Sequence, residues 1–199
     1  MSDKNALRTR VMAARKREPD KGGKSAIICG RVEELAEFQS ARRVQFYIDV
    51  RSEVRTRPFL ARALEAGMKV IVPYCVDDHL ELFHLRKMEE LEPGCFGILE
   101  PRNDLRGRPA RRFDIENVDL ILVPGVAFDR RGGRMGHGRG FYDRLLRRAR
   151  PQTPLIALAF ECQLVEAVPM EEHDLHVDKV VTENTIYEGR HRRSQFTAD

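Results

Sequence analysis

No run of about 18 apolar residues occurs in this 199-residue chain, so no membrane-spanning helix is predicted. The opening stretch, Met1 to Arg17, alternates charged and apolar side chains and lacks a continuous hydrophobic segment. No secretory leader is expected. Cysteine is scarce. Cys29, Cys75, Cys95 and Cys162 form no CxxC pair, which excludes zinc-ribbon and thioredoxin-like readings. Free thiols of this kind suit a reducing compartment, so a cytoplasmic protein is expected. There is no internal repeat and no segment that reads as an interdomain linker, so residues 1–199 are read as a single domain.

What is present points to an ordinary folded domain. Hydrophobic residues make up 42% of the chain and charged residues 33%. That balance excludes a disordered tail, which lacks the apolar content to offset its ordering entropy. The chain is long enough to bury roughly 70% of the surface its unfolded form exposes. Lys plus Arg number 35 against 31 acidic residues, a net charge of +4. Arginine far outnumbers lysine, and its planar fork suits phosphate and carboxylate oxygens. The charges are spread along the whole chain, so they permit nucleic-acid binding without requiring it.

Periodicity predicts a helix over Asp3 to Arg17, with Leu7, Val11 and Ala14 as its apolar stripe and Lys4, Arg8 and Arg15 around them. Pro19 to Gly23 reads as a break and Ser25 to Phe38 as a second helix. Val44 to Val50 reads as a strand and Thr56 to Ala66 as a helix with Thr56 as cap, Pro58 in its first turn and Gly67 as its stop. Lys69 to Pro73 and Leu80 to Leu85 read as strands, and Arg86 to Asn117 mostly as loop. Val118 to Val123 and Pro154 to Phe160 are the apolar runs of buried parallel strands. Gly140 to Arg148 reads as a helix and Asp178 to Thr182 as a last strand. Alternating strands and helices predict an α/β fold with a mainly parallel sheet.

One segment carries the chemistry: Pro124 to Leu146, PGVAFDRRGGRMGHGRGFYDRLL. A buried strand enters it and an amphipathic helix leaves it. Gly136, Gly138 and Gly140 let the backbone approach a ligand closely, and the helix that follows offers free N–H groups. Arg134, His137 and Arg139 are interleaved with those glycines. The pattern reads as an anion or polyphosphate cradle. It is neither a Walker loop, which ends in Gly-Lys-Ser/Thr, nor the dinucleotide fingerprint, because Phe141 stands where the last glycine would be. Asp143, in the first helical turn, is either a dipole-compensating carboxylate or a Mg²⁺ ligand. A second hard ligand is expected within Val168 to Asp178, where Glu171, Glu172, Asp174 and Asp178 surround His173 and His176. Neither spacing nor a third ligand supports zinc there.

The loop sequence resembles the signature of the 5-formyltetrahydrofolate cyclo-ligase family. The resemblance extends to Lys4 and Arg8, to Ser52-Glu53-Val54-Arg55-Thr56, to Lys69 to Pro73, and to Glu100-Pro101, Cys162-Gln163, Val168-Pro169 and Glu172-His173-Asp174. It implies a three-layer α/β domain similar to ribose-5-phosphate isomerase and CoA transferases. It also implies conversion of 5-formyltetrahydrofolate to 5,10-methenyltetrahydrofolate, with ATP as co-substrate and Mg²⁺ as cofactor. The implied ATP contacts are Lys4, Arg8, Arg134, Met135, Gly136, His137, Gly138, Arg139, Gly140, Phe141 and Tyr142. Ile48, Glu53, His137, Gly138, Arg139, Gly140 and Phe141 would meet the folate, Asp143 and Asp174 the metal. Arg134 and Arg139 would be the catalytic cations. Phe141, His137 and Arg55 depart from the residues usual in the family.

Two other readings of the residues stand beside this one. Arg102, Arg106, Arg108, Arg111 and Arg112, with the tail Arg190, His191, Arg192 and Arg193, would suit an RNA-binding protein, although only Phe113 adjoins them for base stacking. A sugar-phosphate or acyl-CoA enzyme of related architecture is the second. The preferred reading has small-molecule partners, no membrane and no nucleic acid.

Overall fold

The computed structural model describes residues 3–94, 97–171 and 174–190. Cys95, Glu172, His173 and the tail from His191 onward lie outside the described residues.

Helix α1 (Asp3–Arg17) forms as its periodicity predicts. Helix α2 (Lys21–Glu33) starts inside the expected break. Asp20 takes a left-handed backbone, φ 45°, and its carboxylate accepts the Gly23 N–H at 3.0 Å. That cap offsets the helix cost of Gly22 and Gly23. After the short α3 (Ala36–Ser40) comes β1 (Arg43–Gln45), shorter than the expected strand. The Phe46 N–H still reaches the Ile71 carbonyl at 2.8 Å, and then the backbone leaves the ladder.

Asp49 explains where it goes. Its buried carboxylate accepts the backbone N–H groups of Thr56 and Arg57, each at 2.9 Å. It thereby starts α4 (Arg57–Glu65), so the helix is capped from seven residues upstream of its expected cap. Thr56 makes no side-chain cap; its hydroxyl donates to the Tyr47 carbonyl at 2.7 Å. The span from 50 to 56 is thus tied down as a closed turn.

Strands β2 (Lys69–Val76) and β3 (His79–Leu85) form a hairpin. The region expected to be loop contains β4 (Leu91–Pro93) paired with β5 (Leu99–Pro101), and β6 (Arg112–Phe113) on the edge of β3. Then follow β7 (Leu120–Val123), β8 (Ala127–Asp129), β9 (Arg134–Met135), α5 (Phe141–Arg147), β10 (Leu155–Leu158), β11 (Leu164–Val165), β12 (Lys179–Val181) and β13 (Ile186–Glu188). The main sheet runs β13-β12-β10-β7-β1-β2-β3-β6. The four central pairings, from β12 to β2, are parallel, with Val44 opposite Val70 on one side and Leu120 on the other. The remaining pairings of that sheet are antiparallel edges.

Alternate residues of the central strands face opposite ways, as strand geometry requires. Val70, Val72, Leu120 and Leu122 pack with Ile28, Val32, Phe59 and Leu60 of α2 and α4. Ile71, Ile121, Val123 and Ala157 pack with Leu145 and Leu146 of α5. The sheet is therefore covered by helices on both faces. A smaller sheet, β11-β8-β9, carries α1, whose Val11 packs with Val126, Ala127 and Met135.

Candidate active site

The glycine-rich loop begins where β7 ends, at the carboxyl edge of the sheet, the usual place for a ligand crevice in open α/β folds. Its first half is a braced hairpin. The Asp129 carboxylate accepts N–H groups from Arg131, Gly133 and Val168, each at 2.9 Å. Gly132 sits at φ 86°, and a Cβ there would stand 2.2 Å from the Val177 carbonyl, so only glycine fits. The second half, 136–140, runs from β9 into α5, with Gly140 left-handed at the helix start.

Between this loop, the 47–53 turn, the ends of β2 and β5 and the middle of α1 lies a cavity of about 890 Å³. Its wall includes Ile48, Glu53, Arg134, Gly136, His137, Arg139, Gly140, Phe141, Tyr142 and Asp143. The structure thus brings the proposed folate residues other than Gly138, and most of the proposed cradle, to one space. Glu53 is buried, and one carboxylate oxygen accepts the Val50 N–H at 3.1 Å. The other oxygen lies 3.6 Å from His137 Nε2. Tyr142 accepts a hydrogen bond from Gln45 Nε2 at 3.3 Å, and burial raises its pKa.

Arg134 is buried, donates to the Pro124 carbonyl at 3.3 Å and is ion-paired with Asp143. Burial lowers its pKa, against the pull of Asp143 and Asp174. Its Nε is buried without a partner. Arg139 is exposed at the cavity rim.

Five proposed residues lie beside the cavity rather than in its wall. Lys4 pairs with Glu171 at 2.7 Å and Asp174 at 3.7 Å; the hydrogen bond to Glu171 raises its pKa. Arg8 Nε donates to the Gly136 carbonyl at 3.0 Å, and its guanidinium stands 3.6 Å from a Cβ built at Gly138. Met135 is a core residue under α1. Arg8 therefore ties α1 to the outer side of the glycine loop, and Lys4 ties it to the 171–174 segment.

The two acidic candidates offer hard oxygen donors, with side chains 35% and 21% exposed for Asp143 and Asp174. Both act electrostatically on Arg134, so they share one neighbourhood. Among the described residues no three His, Cys, Asp or Glu side chains form a preformed cage. One or two carboxylates completed by phosphate oxygens is how Mg²⁺ commonly binds, so the donor set fits that ion.

Arg15 is a cavity residue that the sequence reading left among the charged flank of α1; it is only 3% exposed. Its spacing, two helical turns after Arg8, is the signal that puts both on one face. Tyr47, Tyr74 and Glu100 also line the cavity and carried no motif. The basic run is largely neutralised within the chain: Arg102 pairs with Asp104, Arg106 with Glu100 and Arg111 with Glu90. Nothing in it favours a nucleic-acid surface.

Residues 1–183 match the model of the 5-formyltetrahydrofolate cyclo-ligase family. The chain is 32% identical over 186 residues to the 5-formyltetrahydrofolate cyclo-ligase of Mycolicibacterium smegmatis, covering 90% of this chain and 93% of that one. It is 32% identical over 176 residues to a probable 5-formyltetrahydrofolate cyclo-ligase of Schizosaccharomyces pombe, covering 81% and 85%. The structure is similar to that of Aquifex aeolicus 5,10-methenyltetrahydrofolate synthetase, with a TM-score of 0.81 and 32% identity over 94% of this chain and 93% of the other.

Proposed function

The chain belongs to the 5-formyltetrahydrofolate cyclo-ligase family, and on that premise we propose that it closes 5-formyltetrahydrofolate to 5,10-methenyltetrahydrofolate in the cytoplasm, with ATP going to ADP and phosphate. The observation that carries the assignment to this site is the convergence of Glu53, His137, Arg134, Arg139 and Asp143 on one cavity. Cys29 and Cys162 are free thiols, which suits a reducing compartment.

The chemical difficulty is the formyl oxygen, a poor leaving group. In the proposed sequence it attacks the γ-phosphorus and ADP leaves. N10 then attacks the formyl carbon, loses its proton, and the C–O bond to phosphate breaks as the ring closes. Phosphoryl transfer asks a protein chiefly for positioning and for cations around spreading charge. Arg134 is held in place by Pro124 and Asp143, so its charge is oriented before the reaction. Arg139, at the rim, brings a second cation. A magnesium ion held by Asp143 and Asp174 would neutralise phosphate oxygens there.

Glu53 presents a carboxylate that suits the donor-rich amino-pyrimidine edge of a pterin. The ring would lie against Ile48, Tyr47 and Phe141, which give the cavity its apolar wall. The test is absorbance of methenyltetrahydrofolate formed from 5-formyltetrahydrofolate. Product should appear only with ATP and a divalent cation present; turnover without ATP would overturn the reading.

A further inference from the structure

Two arginines of the described chain are buried, and they differ in one respect. Arg134 has Asp143 as its counter-charge. Among the described residues, no carboxylate oxygen lies within 4.0 Å of Arg15, which is 3% exposed. Its Nε donates to Ser52 Oγ at 3.1 Å and one terminal nitrogen donates to the Gly125 carbonyl at 3.0 Å. Both acceptors are neutral. A guanidinium carries five N–H groups, so three remain without a protein partner on a side chain that lines the cavity. A buried charge is costly unless paired, and arginine is almost never this buried alone. Arg15 thus has no counter-charge within reach among the described residues, and its unbonded N–H groups are left to the cavity it lines.

Two further cations lie on the wall near Arg15, beside the carboxylate of Glu53. Lys16 and Arg51 line the cavity too, and neither side chain has an ion-pair partner among the described residues. Arg51 holds a left-handed backbone, φ 56°, uncommon outside glycine. That strained turn leads directly into Ser52 and Glu53.

We propose that Arg15 is a ligand-binding residue of this cavity that takes an oxyanion of the substrate, while its two protein bonds hold the Ser52 turn and the Gly125 loop apart at a fixed width. The oxyanion is a phosphate of the nucleotide or a carboxylate of the folate; which ligands are present rests on the cyclo-ligase reading, whereas the charge argument does not. The position of Arg15 beside the apolar stripe of α1 does not by itself reveal that the 52 turn and the 125 loop close over it.

Arg15→Gln keeps length and hydrogen bonding but loses charge, and Arg15→Lys keeps charge but cannot bridge both acceptors. Calorimetry with Mg-ATP and with 5-formyltetrahydrofolate, separately, is expected to show tenfold or greater weakening of one ligand in Arg15→Gln. The other ligand should stay within twofold, and the lysine variant should recover part of the loss. Weakening of ATP assigns the anion to phosphate, and weakening of the folate assigns it to carboxylate. Both constants within twofold of the parent, or equal loss of both with a lowered ligand-free Tm and no recovery in Arg15→Lys, overturns the proposal. Tripolyphosphate is the independent probe. It should raise the parent Tm, and raise that of Arg15→Gln less, unless calorimetry has assigned the anion to the folate carboxylate; outside that case, no rise in the parent or an equal rise in both also overturns the proposal. A parent that binds neither substrate overturns the cyclo-ligase reading instead, and tripolyphosphate then decides Arg15 alone. If Arg15→Gln does not fold, the same comparisons are read on Arg15→Lys, where the restored charge without the bridge should leave anion binding in place.

Discussion

At the scale of single residues, the site is a set of charges whose partners decide what each can do. Glu53 is fixed by the Val50 N–H and faces His137. Glu53→Gln is expected to weaken 5-formyltetrahydrofolate binding by roughly 1.5–3 kcal/mol, the value of a charge-assisted pair, and to leave Mg-ATP almost unchanged. Separate calorimetric titrations check this, and unchanged folate affinity would remove Glu53 from the folate site. Asp143 was read from sequence as either a helix-dipole residue or a metal ligand. The structure adds a third role, because it neutralises the buried Arg134. Asp143→Asn should therefore raise the Mg²⁺ concentration needed for half-maximal activity and also lower stability by about 1–3 kcal/mol, less than a fully buried pair because the carboxylate is one-third exposed. A magnesium titration and a melting curve separate the two effects. Phe141, His137 and Arg139 are legible as candidate residues of the cavity because glycines flag the loop. Arg15 is not, since its burial comes from two segments far away in sequence.

Elements show the same division. The strands at 120–123 and 155–158 are readable from unbroken apolar runs, α1 and α5 from apolar spacing, and α4 from Pro58 and Gly67 at its ends. The stretch after β1 was misread. Its β-branched and aromatic residues do suit a strand, but Asp49 captures the N–H groups of Thr56 and Arg57 and bends the chain out of the sheet. A carboxylate acting across seven residues of irregular backbone leaves no periodic trace. The short pairings within 86–117 were missed for a related reason, as two- and three-residue strands carry too few positions to show alternation. Asp49→Ala should strip α4 of its cap and leave buried N–H groups without acceptors. The expected loss is about 2–3 kcal/mol, a Tm lower by roughly 5–10 °C. The same variant should raise the KM for the folate more than that for ATP, because Glu53 lies inside the turn that Asp49 closes. Steady-state kinetics with each substrate varied in turn measures that split.

For the whole molecule, stability should depend on pH from both sides. The hydrogen bond with Arg43 holds Asp119 below the ordinary carboxylate range, and Glu90, despite its burial, is held low by the Arg86 N–H and by Arg111. Groups depressed in the folded state contribute stability that is complete above their unfolded pKa and is lost as pH falls through the folded one. At the other end, burial pushes the thiols of Cys29 and Cys162 up to about 12. Their contribution is complete below the ordinary thiol value and is lost as pH rises towards 12. Burial also lowers His84 and His176, whose charging in the unfolded chain costs stability as pH falls below about 7, so melting temperature should be highest between about pH 7 and pH 8 and fall on either side; a Tm that kept rising above pH 9 would contradict the alkaline half. The order of the central strands has a consequence for how the chain reaches this state. β1 lies between β2 and β7, with Val44 aligned to Val70 and to Leu120. The local hairpin of β2 and β3 can close early, but the pairing with β7 must wait for a loop of roughly 75 residues to close, the slow kind of contact in folding. A nascent chain halted before Leu120 would present the β1 edge unpaired, a template for joining another chain. The strand at the heart of the finished sheet is an open edge during synthesis.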